Sequence, residues 1–142
     1  MISTIVVGTD GSGTARRAVA VAADLARQLQ ATLHVVHGYQ APAALEGAGP
    51  ALEGAAISTS SLWEELSAAV LERAIGDPSL DRIRVERHSV PGGAWQGLVE
   101  VARRVGADLI VVGNRGIGGP GPSVPGAVVA HAPCHVLIVK TT

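Results

Sequence analysis

One turn constrains this chain more than any other feature: an apolar run that ends in glycines and restarts as a helix. Between Gly106 and Gly113, the residues Ala107 to Val112 are apolar apart from Asp108. Such a run suits a strand buried on both faces of a parallel sheet. From Gly113 to Pro122 the sequence carries five glycines and two prolines. Ser123 follows and opens a second apolar pattern with helical spacing. A buried strand thus delivers a glycine-rich loop to the start of a helix. In open α/β sheets ligands sit beyond the carboxyl ends of the strands, and N–H groups at a helix start attract anions. The expectation is an anion site, phosphate above all, at this turn.

The rest of the chain alternates in the same way. Thr4 to Val7 reads as a first strand, ending in the turn Gly8-Thr9-Asp10-Gly11-Ser12-Gly13. Ser12 or Thr14 can cap a helix from Ala15 to Leu29, whose apolar positions follow helical spacing. Thr32 to Tyr39 is the second strand. Ser61 with Glu64 forms a capping box for a helix to Ile75, with Leu62, Leu66, Ala69 and Val70 sharing its face. Asp77-Pro78 is a turn. Ile83 to Ser89 is the third strand and Val90 to Gly93 a loop. Ala94 to Val105 is a helix that turns Leu98, Val101, Ala102 and Val105 inward. Ser123 to His131 is the last helix and Val136 to Val139 the last strand. Strict alternation implies a doubly wound α/β fold: five parallel strands with helices on both faces. The expected strand order is 3-2-1-4-5, with its switch point between the first and fourth strands.

Residues 1–142 are expected to form one domain, because a chain of this length buries a sizeable core. Only Tyr39, Trp63 and Trp95 are aromatic, so the core must come from Val, Leu, Ile and Ala. Net charge is −1 with no basic block, which argues against a nucleic-acid or acidic-membrane partner. The single cysteine, Cys134, allows no internal disulfide. No segment reads as a leader or membrane span, so a cytoplasmic location is expected. Gln40 to Ile57 stands apart: it is rich in Ala, Gly and Pro, with a small repeat from Ala44 to Ala55. A connection this long is read as a lid or mobile excursion, with a tolerated insertion of no function as the alternative.

The motifs narrow the chemistry. Gly8 to Thr14 nearly spells a P-loop but lacks its lysine, which argues against a Walker-type NTPase. Gly116 to Gly121 matches GxGxxG formally, yet it follows the fourth strand and has no acidic residue at the required distance. Residues 86 to 90 lack the Asp that a phospho-receiver needs. No spacing among His34, His37, His88, His131 and His135 suggests a metal site, and His34 and His37 must point to opposite faces of a strand. Cys134 reads as a core filler. No spacing supports a catalytic triad or paired carboxylates. Asp10 is the exception among the acids, because it sits at the switch point where side chains face the ligand crevice; the competing role is a cap for the first helix.

Three segments resemble one family. Val6-Val7-Gly8-Thr9-Asp10-Gly11-Ser12, Ala107 to Gly116, and His131-Ala132-Pro133-Cys134-His135-Val136-Leu137-Ile138-Val139 are similar to the opening, fourth strand and closing strand of universal stress proteins. The resemblance covers the chain outside Gln40 to Ile57 and implies a HUP, Rossmann-like domain. It implies an adenine nucleotide (ATP with Mg²⁺, AMP or cyclic AMP) held through a motif G-x2-G-x9-G-[S/T]. Thr9, Asp10 and the backbone of Val35 would hold the adenosine and Gly92 would line the pocket. Val112, Gly113, Arg115, Gly116, Ser123 and Val124 would surround the phosphates.

This chain departs from that motif. A nine-residue spacer would end at Gly126 and Ala127, leaving a helix of about 7 Å. Counting back from the last strand ends it at Pro122 and Ser123, leaving a helix of about 13 Å capped by Ser123, with Pro125 in its first turn. The second register is preferred. It shortens the phosphate loop and replaces its last glycine with a proline that has no N–H. By resemblance the protein regulates a stress response when occupied, and pairs with a second copy through the apolar edge strand Val136 to Val139. It is not expected to be an enzyme. A slow ATP hydrolase and a nucleotide-free dimeric module are the alternatives.

Overall fold

The structure, a computed structural model, describes residues 1–40 and 59–142. Five strands form one parallel sheet in the order β3-β2-β1-β4-β5, as the alternation predicts. The strands are β1 (Thr4–Gly8), β2 (Thr32–Tyr39), β3 (Val85–Pro91), β4 (Leu109–Gly113) and β5 (His135–Val139). The helices are α1 (Gly13–Leu29), α2 (Thr59–Ile75), α3 (Ala94–Val105) and α4 (Val124–His131), with a 3₁₀ turn at Pro78–Leu80. The excursion expected from Gln40 to Ile57 lies outside the described residues, apart from Gln40 itself.

Alternation along the strands builds two cores. Ile5, Val7, Leu33, Val35, Leu109 and Val111 face α1, where Ala18, Val19, Ala22, Ala23 and Ala26 meet them. Val6, Val36, Ile110 and Val112 face the opposite way, onto Leu98, Val101 and Ala102 of α3 and Val128 of α4. Successive strand residues thus serve opposite layers, and the central strands are buried on both faces. Small inward residues on α1 bring it close to the sheet without any aromatic filler. Asp108, the one charge in the apolar run, ties the sheet's lower rim: its carboxylate accepts from the N–H groups of Ser3 (2.9 Å) and Thr4 (3.0 Å).

Two expectations are corrected. The third strand runs Val85–Pro91, not Ile83 to Ser89. Arg82 takes a left-handed φ of 66°, so the chain is still turning at Ile83, whose side chain packs on the α1-side core. Val90 and Pro91 belong to the strand rather than to a loop; β3 is an edge strand, where proline is tolerated. In α2, Ser61 lies within the helix rather than at its cap, and the inward face differs. Ser67 and Leu71 are buried, whereas Leu62 and Leu66 are exposed. A polar residue, Ser67, belongs to the buried face because hydrogen bonds described below satisfy it.

One close approach fixes where α3 begins. A Cβ on Gly38, near the end of β2, would lie 2.1 Å from the Gly93 carbonyl oxygen and 2.9 Å from the Ala94 Cα. Gly97 also faces the Gly38 backbone, its own Cβ position 3.4 Å from the Gly38 Cα. Two glycines therefore let the first turn of α3 rest directly on β2. Gly38→Ala is expected to destabilise the fold by about 3 kcal/mol, read as a lower urea midpoint; an unchanged midpoint would refute this packing.

Candidate functional site

The crevice forms where β1 and β4 end. Beyond β1, the Thr9 N–H still donates to the Val36 carbonyl (2.9 Å), which carries the pairing with β2 one step further. The chain then folds tightly on itself. Thr9 Oγ1 accepts from the Gly11 N–H (3.1 Å) and Asp10 Oδ1 from the Ser12 N–H (2.8 Å). Ser12 is the N-cap of α1, accepting from the Ala15 N–H. Asp10 therefore shapes the turn while Ser12 does the capping, and the Asp10 side chain stays exposed at the crevice mouth. Partial burial pushes its carboxyl up, but the Ser12 hydrogen bonds and the nearby Arg115 charge outweigh this and hold it below the ordinary carboxylate value. Asp10 is an anion at neutral pH.

The loop after β4 is the opposite wall. Gly116 has a φ of 91°, and a Cβ there would lie 3.2 Å from that of Ser123, so the loop closes onto the start of α4. Ser123 caps α4: its Oγ accepts from the Gly126 N–H (3.2 Å), and Pro125 sits in the first turn. This is the helix that the shorter register requires. Its first turn has little left for an anion. Pro125 has no N–H and the Gly126 N–H is taken, which leaves that of Val124 and the Ser123 hydroxyl.

Between these walls lies a cavity of about 450 Å³, within the usual range for small-molecule sites. It brings together Thr9, Asp10, Val112, Gly113, Arg115, Gly116, Ser123 and Val124 of the expected residues. Val35 and Gly92 do not line it. The Val35 side chain is buried on the α1 side, because strand alternation turns it away, and Gly92 is exposed outside the cavity on the approach to α3.

Sequence reasoning missed His37 and Thr141, which also line the cavity. His37 Nδ1 lies 2.6 Å from the Ser67 Oγ of α2, and Ser89 Oγ of β3 donates to the same Ser67 oxygen (2.5 Å). Ser67 then donates to Nδ1, which leaves the imidazole proton on Nε2. Burial pushes the His37 pKa down and the Asp10 charge only partly opposes this, so the ring is neutral at pH 7. No sequence spacing shows this relay, because it joins β2, α2 and β3. Thr141 is buried at the rim, where Asn114 Oδ1 accepts from its N–H (2.8 Å) and Arg17 donates to its carbonyl (2.8 Å).

Fold and crevice together define a Rossmann-like α/β domain with a ligand-sized cleft at its topological switch point. The chain belongs to the universal stress protein family, whose sequence profile matches residues 1–140. It is 35% identical over 144 residues to a Thermus aquaticus universal stress protein named for the QAH/OAS sulfhydrylase 3′ region, covering 99% of this chain and all of that one. It is 36% identical over 146 residues to a universal stress protein of Mycobacterium tuberculosis, covering 98% and 97% of the two chains. Among solved structures, a universal stress protein in complex with cAMP is similar at 31% identity and a TM-score of 0.73, covering 99% and 98%. Among the described residues, no helix is long and apolar enough to cross a membrane.

The neutral His37 makes stability depend on pH. Its pKa in the folded chain lies below the ordinary 6.5, so between those two values the unfolded chain holds more protons. Stability therefore rises with pH through that window and is lost as pH falls below about 6.5. Urea midpoints measured across this range should fall on acidification, and His37→Gln should flatten part of the slope. An identical slope in the variant would show that His37 is not the titrating group.

Proposed function

We propose that this protein is a single-domain, cytoplasmic, adenine-nucleotide-binding regulator of a stress response. The observation that carries the reading is the cavity at the β1/β4 switch point, rimmed by Asp10 and Ser123 and open to the loop after β4. Its size suits a nucleotide, and a related protein of the same family was solved with cAMP. Thr9 and Asp10 offer acceptors for a ribose, and the backbone of Val35 stands behind them in the paired strand β2. Gly113, Gly116, Ser123 and Val124 surround the phosphate position, with Arg115 as a cation beside it and Gly92 at the outer approach.

The state of α4 favours a ligand with one phosphate. With Pro122 and Pro125 lacking N–H groups and Gly126 engaged, the turn offers few donors to a triphosphate, even one bound with Mg²⁺. A cyclic or simple monophosphate asks less. Calorimetric titration with cAMP, AMP and ATP plus Mg²⁺ is expected to rank the first two above the third. Asp10→Ala and Ser123→Ala should weaken each by about tenfold, the loss of one hydrogen bond to a charged group. Equal affinity for AMP and ATP would overturn the ranking. The absence of binding to any of the three by folded protein would overturn the nucleotide reading.

A second observation favours self-association. β5 borders the sheet, paired to β4 on one side, and Ile138 on it is 40% exposed. An apolar edge strand is a template for pairing with another copy. A homodimer through β5 would act with the nucleotide site or, if that site proves empty of function, without it. Leu137→Pro, which removes an edge N–H, should convert the dimer to a monomer by light scattering, with circular dichroism confirming the fold. A folded variant that stays dimeric would place the interface elsewhere.

A further inference from the structure

A second polar cluster lies away from the crevice, where β2 meets the edge strand β3. Parallel pairing sets His34 opposite Glu86 and Val36 opposite His88. Strand alternation puts all four on the α3 side of the sheet. His34 is buried at 5% exposure, His88 is half-buried and Glu86 is exposed. His34 Nδ1 lies 2.9 Å from His88 Nε2 and 3.4 Å from Glu86 Oε2. These three ligand atoms lie within 4.8 Å of one another. Arg104 of α3 completes the cluster, its Nη2 3.3 Å from His88 Nδ1.

With Glu86 and Arg104 where they stand, each neutral proton assignment leaves one contact of this cluster unfavourable. If His88 Nε2 carries its proton and donates to His34 Nδ1, the Glu86 carboxylate faces a nitrogen lone pair. If His34 Nδ1 donates instead, His88 carries its proton on Nδ1, against an N–H of Arg104. A cation in place of the shared proton removes the first conflict, because the carboxylate then faces a positive charge, and the second is removed when the exposed Arg104 side chain turns away from His88 Nδ1. Tetrahedral zinc with bonds of about 2.0 to 2.1 Å separates its ligand atoms by about 3.3 Å. The His34–Glu86 separation matches, the two imidazole nitrogens must part slightly, and His88 Nε2 and Glu86 Oε2, which lie within 4.8 Å of each other, must settle at the same spacing. Burial holds both histidines below their ordinary pKa, so they are neutral, as ligation requires.

We propose that His34 Nδ1, His88 Nε2 and Glu86 Oε2 form a three-ligand site for a zinc-class divalent cation, with water in the fourth position. The ligands come from two adjacent strands, so the cation clamps the edge strand β3 to β2. Binding moves the His88 proton from Nε2 to Nδ1 and turns the exposed Arg104 out to solvent. Arg104 therefore competes with the metal by favouring the metal-free tautomer. The site is independent of the nucleotide reading.

The test is calorimetric titration of chelator-treated full-length protein with zinc chloride alone. One zinc per chain is expected, with a higher melting temperature on binding. Glu86→Gln, an exposed change that leaves the strand pairing intact, should weaken binding by about tenfold or more. His88→Gln should abolish it, and Arg104→Ala should tighten it. Failure of the folded wild-type chain to bind zinc would overturn the proposal. So would binding that survives unchanged in Glu86→Gln, which would place the metal elsewhere; that variant decides the matter even if His88→Gln does not fold.

Discussion

The structure depends on one constraint: β1 and β4 lie side by side, yet their chains leave for opposite faces of the sheet. After β1 the chain turns into α1, over the layer that holds Val7 and Val111. After β4 it turns, through the glycine loop, into α4, whose Val128 packs over Val6 and Ile110. Neither connection crosses the strand ends, so a cleft must open there. The strand pair itself is packed on both faces. Ile5, Val6, Val7, Ile110 and Val111 are all fully buried, and Asp108 holds the opposite rim through the N–H groups of Ser3 and Thr4. The turns at the cleft are mounted on fully buried strands.

Much of this was legible in the sequence because the informative residues act locally. The period of the apolar residues marks α1 and α3, and the continuous runs mark β1, β2 and β4. Given strict alternation, the sheet order follows from few choices. The helix start at Ser123 was legible for another reason: a serine before a Val-Pro pair has few other places to sit, and a helix starting later is too short to span the sheet. The cluster of Thr9, Asp10, Gly113, Arg115, Gly116 and Ser123 around one cavity follows from those same turns.

What escaped the sequence depends on contacts between distant segments. Ile83 looks like the first residue of a strand, but it packs on a core while the chain is still turning after Arg82. Leu62 and Leu66 look like an inward stripe, but α2 is oriented by Ser67, which answers His37 and Ser89. Ser67 is fully buried, and its bonds to His37 and Ser89 satisfy the hydroxyl that this orientation turns inward beside Leu71. Val35, assigned through its backbone, and Gly92 were placed by resemblance alone; neither lines the cavity, which β2 meets at Val36, His37 and Gly38. The neighbours of His34 are set by register between β2 and β3, which no spacing along one strand encodes.

Asn114 joins two parts of the molecule that the topology keeps apart. Its Oδ1 sits among four donors, the N–H and hydroxyl groups of Thr141 and Thr142, at 2.8 to 3.2 Å. The preceding residue, Gly113, pairs with Val139, the last residue of the edge strand. The amide therefore acts as a buckle between the loop after β4 and the chain emerging from the sheet's border. Thr141 is also gripped from α1 by Arg17, so the buckle is anchored on both sides of the cleft. A shift of Arg115, the residue after Asn114, would pull on a side chain fastened to the segment that follows the border strand. The turn at the cleft and the end of the sheet's border strand are thus one fastened unit, so neither can shift without the other.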